Sequence, residues 1–511
     1  MDALKRYLHT HTNPPVFLIS GAVVLLFLIF GSLAPHELTH GAGMVQDFIT
    51  YYLGWFYILS VSFFLIFCLV LMMGRFGRVK LGPDDSEPAY STTAWFAMLF
   101  TAGMGIGLVY YGVAEPLDHY FRPPTGAGST PAAAAQAMNW TFYHWGLHAW
   151  AIYIVLGLAM GYFHFRRGLP LRPAAAFYPL IGDRIYGPIG NLVDILAVFG
   201  TLYGLATSIG IGAEQITAGL HVLFGVTNDA LNQVLVITSI EALAIASVML
   251  GLDKGVRNLS LINLWLAVAL MLIVFAAGPT LYELRVFPNY LGNYLQHIVG
   301  TSFTLFTQGA PAKWQADWTL FYWSWWASWS PFVGMFIARI SYGRTVRQFV
   351  AGALFAPAGA SFVWFTVFGG SALWEQMFGH VSLRPYNADQ VIFELIKTLP
   401  FGAESATLVS GLTIVVVTLF FATSSDSGSY VVDMLTNGGD PHPVAMQRLF
   451  WAVTEGLVAI VLLLAGGVGA LQTAAITTGL PFTVVLLLMC WSLWRVRNQE
   501  AASFRAGAGL H

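Results

Sequence analysis

Apolar runs of membrane-spanning length recur along almost the whole chain, near residues 15–34, 51–74, 93–113, 138–164, 188–223, 231–252, 258–280, 317–340, 348–372, 403–432, 447–467 and 470–493. A hydrocarbon core of about 30 Å takes about 20 helical residues to cross, and more when the helix tilts. Backbone groups cannot bond to water there, so each run is expected to satisfy its own as a helix. The expected fold is an all-α polytopic membrane protein with twelve spans. Composition agrees: 57% of the 511 residues are hydrophobic and only 9% charged, a balance that water-soluble folds do not keep. The first run is long and lacks a short apolar core with a small-residue cleavage site, so it is expected as a permanent span. Cys68 and Cys490 both lie in apolar runs and read as small core residues rather than a disulfide or metal pair.

Basic residues set the orientation. With the N-terminus inside, 18 of the 23 lysines and arginines fall in inner segments, so both termini are expected in the cytoplasm. The net charge of −2 and the lack of a basic run argue against nucleic acid as a partner. Residues 284–312 are longer and more polar than a loop needs. Val286, Phe287, Tyr290, Leu291, Tyr294, Leu295 and Ile298 are spaced as one face of a helix lying on the outer membrane surface. Beyond Arg497 only Arg505 is basic, which argues against a charged terminus that senses anionic lipid.

Glycine and proline inside the spans suggest where helices open. The third span carries Gly103-Met104-Gly105-Ile106-Gly107 and is expected to end at Glu115-Pro116. Each glycine costs a helix about 1 kcal/mol relative to alanine, and their spacing fits the four-residue repeat of close helix packing poorly. An unwound segment lining a cavity fits better. A looser version runs from Gly204 to Gly212 in the fifth span, and Ser330-Pro331 is expected to break the eighth.

Beside that proline, Trp323, Trp325, Trp326 and Trp329 fall within seven residues. Tryptophan commonly sits in interfacial belts, but these four lie inside a span, since the apolar run resumes from Phe332. A desolvated aromatic cage suits a quaternary ammonium, whose charge no hydrogen bond can reach. Such a contact is worth about 2 kcal/mol or more.

These features resemble the betaine/carnitine/choline transporter family from about residue 12 to 495. The resemblance rests on Gly103–Gly107, on His144-Trp145-Gly146-Leu147-His148-Ala149-Trp150-Ala151-Ile152-Tyr153, and on the stretch from Trp318 to Phe332. It implies a leucine-transporter-type fold with two inverted repeats of five spans, a first one over 93–283 and a second over 313–495. Around them lie N-terminal spans in 1–92, the external helix at 284–312 and a short tail at 496–511. It further implies a homotrimer in a bacterial plasma membrane.

By the same resemblance, Trp145, Trp150, Tyr153 and Trp326 form the central cage. Trp325, Trp329 and Phe332 line the exit toward the cytoplasm. The eight-residue separation of Trp145 and Tyr153, just over two turns, also sets these rings along one helical face. Met104 and Gly105 in the glycine segment are the expected partners for a ligand carboxylate. Sodium, the expected coupling ion, would be held by the hydroxyls of Thr423 and Ser424 with carbonyls of Thr101, Met104 and Phe420. Sodium-independent exchangers in the family place an arginine in the seventh span; here Asn263 and Leu264 occupy that turn. A second sodium site would use Thr201, but Leu205 replaces the second hydroxyl expected there.

Choline-selective members tend to carry an acidic residue in the third-span motif. Gly107 leaves this motif neutral, so a zwitterion such as glycine betaine is favoured. Carnitine, dimethylsulfoniopropionate, ectoine, proline betaine and choline stand behind it. Proton coupling through Glu214, Glu241, Glu455 or Asp194 ranks second to sodium. Glu115 is expected at the outer boundary in a structural role, apart from the cage. No nucleophile triad, metal spacing or nucleotide loop suggests an enzyme, and His144 with His148 lack a nearby third ligand. A channel is disfavoured because a narrow cage would trap its ligand.

Overall fold

The computed structural model describes residues 2–103, 105–249, 253–384, 386–442 and 444–508, and among them every extended element is helical. Pro14 and Pro35 open α1 (Pro14–Leu33) and α2 (Pro35–Met73), in the first turn where a missing N–H costs nothing. The third apolar run is two helices, α3 (Thr92–Gly103) and α4 (Ile106–Phe121), with Gly105 extended between them. The fourth is also two, α5 (Pro131–Trp145) and α6 (Leu147–Gly161). Then follow α7 (Pro188–Phe224), α8 (Ala230–Met249), α9 (Asp253–Ala277) and α10 (Thr280–Ser302). The second half holds α11 (Phe321–Arg339), α12 (Val346–Phe378), α13 (Ala403–Thr436) and α14 (Ala445–Ala508). Eight helical runs among the described residues are long and apolar enough to cross a membrane by length and composition.

Local chemistry sets several of these boundaries. The Thr130 hydroxyl accepts the Ala133 N–H at 3.1 Å and starts α5, with Pro131 behind it. Thr345 and Gln348 form a reciprocal capping box at the start of α12. α14 is divided by Gly466 and Gly467, and Gly467 has φ +60, a conformation that favours glycine. That division falls between the two last apolar runs of the sequence.

Four local expectations are corrected. Ser330-Pro331 does not break a helix, because α11 runs through it. Proline removes the donor that would reach the Ala327 carbonyl, and the Ser330 hydroxyl bonds that carbonyl instead at 2.7 Å. The irregular turn lies upstream, a π-helical stretch over Ala316–Leu320. The glycines of α7 do not unwind it either. Gly200 and Gly204 let α11 approach, since a Cβ on them would meet the Ser328 carbonyl at 3.0 Å and the Trp329 ring at 3.1 Å. The third span continues past Glu115-Pro116 to Phe121, with the Pro116 ring lodged where a side chain on Gly369 would sit.

The fourth correction concerns Gly146, which no expectation marked. It separates α5 from α6 at φ −96 and ψ −139, and a Cβ there would lie 2.4 Å from the Phe142 carbonyl. Trp145, Trp150 and Tyr153 therefore do not share one helical face. They meet because the chain turns between the first and the other two.

Candidate functional site

The break between α3 and α4 aims the N-terminal end of α4 into the centre of the bundle, where α6, α7, α11 and α12 surround it. The cavity there is lined by Gly105, Gly107 and Leu108 of the broken span, and by Trp145, Trp150, Tyr153, Trp325, Trp326 and Trp329. Ala149, Ser208 and Ser361 complete the wall, and the space between them is small, about 30 Å³. Admitting a trimethylammonium head requires the rings to part.

The aromatic geometry is that of a box. Trp326 meets Trp145 edge-on at 5.0 Å and Tyr153 edge-on at 6.2 Å, while Tyr153 meets Trp150 at 5.3 Å. Trp325 stacks on Trp326 at 4.7 Å and 15°, closing one side. Trp329 lies a turn further, 6.4 Å from Trp325, and Phe332 packs on Trp329 at 5.5 Å outside the cavity wall. A Cβ on Gly107 would stand 2.8 Å from Trp325 and 3.1 Å from Trp145, so glycine is what lets both indoles cover the helix end.

Three of the six rings are held by a bond to another element. The Trp326 N–H donates to the His144 carbonyl at 3.0 Å and the Trp325 N–H to the Gly204 carbonyl at 3.3 Å. Trp145 donates to Glu115 Oε2 at 2.7 Å, and the Tyr322 hydroxyl donates to the same oxygen at 2.5 Å. On Oε1, Glu115 meets His144 Nδ1 at 2.7 Å and His119 Nε2 at 3.2 Å. His144 Nε2 in turn meets the Thr319 hydroxyl at 2.9 Å. Four donors thus converge on one fully buried carboxylate, which is the number its two ionised oxygens can accept.

This overturns the separation of Glu115 from the cage. Glu115 is the anchor of Trp145, and Tyr322, which sequence reasoning did not single out, joins it. The signal was present: Glu115 and His119 stand at i, i+4 on α4, with His144-Trp145 on a neighbouring span. The Glu115, His119 and His144 ligand atoms lie within 4.8 Å of one another, but both carboxylate oxygens already carry donors. The trio is a hydrogen-bond hub rather than a metal centre. His148 stands apart, bonded through Nε2 to the Ser302 hydroxyl at 2.8 Å.

The residues expected around sodium are less gathered. Thr423 on α13 donates to Leu419 and Phe420 carbonyls of its own helix, at 2.7 and 3.3 Å, and Ser424 beside it is half-buried. Thr101 stands in the last turn of α3, and Met104 lies outside the described residues. Asn263 of α9 reaches α13 at the same level. With its amide nitrogen toward Val416 O (3.3 Å) and its oxygen toward Phe420 N–H (3.0 Å), it satisfies both. Thr201 donates to Ala197 within α7 at 2.8 Å, and Leu205 packs where a side chain on Gly428 would sit. An apolar side chain thus stands where the second hydroxyl was expected.

Comparison with known proteins agrees with this architecture. The profile of the BCCT, betaine/carnitine/choline family transporter, matches residues 15–502. A glycine betaine transporter of Acinetobacter baylyi is 45% identical, over 97% of this chain and 74% of its own length. The glycine betaine transporter OpuD of Bacillus subtilis is 42% identical, over 97% of this chain and 96% of its own. The high-affinity choline transport protein of Escherichia coli is 40% identical, over 96% of this chain and 72% of its own. With a family match across nearly its whole length, this multi-pass helical chain is a transporter and not an enzyme, and it belongs to the betaine/carnitine/choline transporter family.

Proposed function

We propose that this chain imports a quaternary-ammonium zwitterion, glycine betaine first, by sodium symport. One observation carries the reading: six aromatic rings and a helix N-terminus share a single cavity whose lining includes no acidic side chain. The rings suit the onium head. The unpaired N–H groups and positive end of α4 suit a carboxylate. Choline has no carboxylate, so it would leave those donors without a partner, and a buried polar group left unpaired discriminates strongly. The glycine betaine transporters among the relatives support the same choice.

Sodium coupling rests on the neighbouring hydroxyls of Thr423 and Ser424 beside the carbonyl of Phe420, and on Asn263 where exchangers carry a cation. The ion would be cargo, entering with the ligand while the repeats at 93–283 and 313–495 move against each other. A homotrimer in a bacterial plasma membrane with both termini cytoplasmic completes the reading. The test is uptake of radiolabelled glycine betaine into proteoliposomes, with an inward sodium gradient against potassium at matched pH. Accumulation should require sodium. Thr423→Ala with Ser424→Ala should raise the half-saturating sodium concentration about tenfold, the equivalent of about 1.4 kcal/mol. Sodium-independent accumulation, or an unmoved sodium curve, removes the assignment.

Gly107→Asp tests the choice of zwitterion. The new carboxylate would stand beside Trp325 and Trp145, where it repels a ligand carboxylate and pairs with a bare onium. Competition against labelled substrate should show the choline-to-betaine preference ratio rising about tenfold or more, an energy difference of about 1.4 kcal/mol. An unchanged ratio would place the ligand's carboxylate away from α4.

A further inference from the structure

The sodium and onium sites do not use a pair of acidic residues buried between α8 and α14. Midway along α8, Glu241 is 5% exposed, and midway between the start of α14 and its Gly466 break, Glu455 is fully buried. The two helices pack on each other and on α13. Gly456, next to Glu455, makes the approach possible: a Cβ there would lie 2.9 Å from Glu241 Cγ and 3.4 Å from its carboxyl carbon. Glu241 Oε2 accepts the buried Ser425 hydroxyl of α13 at 2.7 Å. Glu241 Oε1 and both oxygens of Glu455 make no hydrogen bond among the described residues.

Two ionised carboxylates cannot rest side by side in such surroundings. Each would forfeit several kcal/mol of hydration, with repulsion added. Among the described residues the other charges facing Glu455 are Glu241 and Asp426, both acidic. The cation at this level among the described residues is Arg448, which pairs with Asp426 at 3.0 Å. α7 packs against all three helices, and its acidic residues point elsewhere: Asp194 lies at 3.2 Å from Arg172, and Glu214 accepts the Tyr110 hydroxyl at 3.3 Å. The pair therefore needs a cation of its own.

We propose that Glu241 and Glu455 form a proton-binding site in the membrane interior, distinct from the onium cavity and the sodium residues. Sodium is disfavoured there because it needs about five or six oxygens. Among the described residues of these three helices the irregular backbone is Gly466–Gly467, three turns from Glu455, so helical carbonyls at this level are engaged in their own ladders. A proton needs only one bond and one acceptor, and three unused carboxylate oxygens supply both. Loss of the proton would set like charges against each other across the α8–α14 contact, giving transport a pH dependence independent of its coupling ion.

Infrared difference spectroscopy on the full-length purified protein tests this without substrate. Spectra over a pH series should contain a carboxylic-acid C=O band that is lost in one of Glu455→Gln and Glu241→Gln and shifted in the other. Each amide has the shape of the neutral acid, so both variants should purify folded, with melting temperatures at or above that of the unchanged protein. Spectra of variants and parent that coincide in this region would overturn the proposal. So would a variant that cannot be recovered folded, since that would show the ionised form to be required. Loss of the parent's band on replacing potassium with sodium would instead assign the pair to the metal ion and overturn the proton reading. Because no transport is measured, failure of the symport assignment leaves this result standing.

Discussion

Trp326→Leu is expected to weaken glycine betaine binding about 30-fold or more. The indole stands at the centre of the aromatic box, edge-on to Trp145 and Tyr153 and stacked on Trp325. Leucine keeps the site apolar but removes the π-face, and a desolvated cation–π contact is worth about 2 kcal/mol, or about 30-fold. Lost packing adds to this, because Trp326 also ties α11 to the His144 carbonyl. Trp326→Phe separates the two contributions by keeping a ring and losing the N–H, so its affinity should fall between. Equilibrium binding in detergent with labelled glycine betaine decides the matter. Wild-type affinity in the leucine variant would remove Trp326 from the ligand's surroundings.

Glu115→Ala is expected to lower stability by about 3–5 kcal/mol, the cost of removing one partner from a buried charged network. Transport should be lost with it. Four donors, from His119, His144, Trp145 and Tyr322, would be left facing an apolar gap. Glu115→Gln keeps the volume but lacks the acceptor capacity, since its amide nitrogen would confront donors. The glutamine variant should therefore melt below the unchanged protein and bind betaine more weakly, as Trp145 loses its anchor. Melting curves with and without betaine check both statements. A glutamine variant equal to the parent in stability and affinity would reduce Glu115 to filler.

How legible the molecule was depends on the scale of the feature. The apolar runs gave the helices nearly where they stand, because hydrocarbon admits few other choices for a bare backbone. Gly103–Gly107 was readable as a break because three closely spaced glycines oppose a helix strongly. Ser330-Pro331 misled because a proline's effect depends on whether a neighbour takes up the freed carbonyl, and here Ser330 does. Gly146 was invisible for the opposite reason: a single glycine in an apolar run carries no pattern, and the need for it arises from the Phe142 carbonyl.

The cage rings were named from the residues and the family resemblance, yet their cause of alignment was not. Trp145 is placed by Glu115, thirty positions away on another helix, and no local spacing encodes that bond. Ser208 and Ser361 went unnoticed on similar grounds. They reach the cavity only through the packing of α7 and α12, and a lone serine in a span gives no signal of its own.

The anchoring of the box also bears on time. Trp325 is fastened to α7, Trp326 to the end of α5 and Trp145 to α4, so the walls these three form cannot swing alone. An unfastened side chain flips within nanoseconds, whereas helices shift against one another in microseconds to milliseconds. For the ligand to pass these three rings it must wait for the slower event. On that side of the box, passage is clocked by the movement of whole helices rather than by the flip of a single ring.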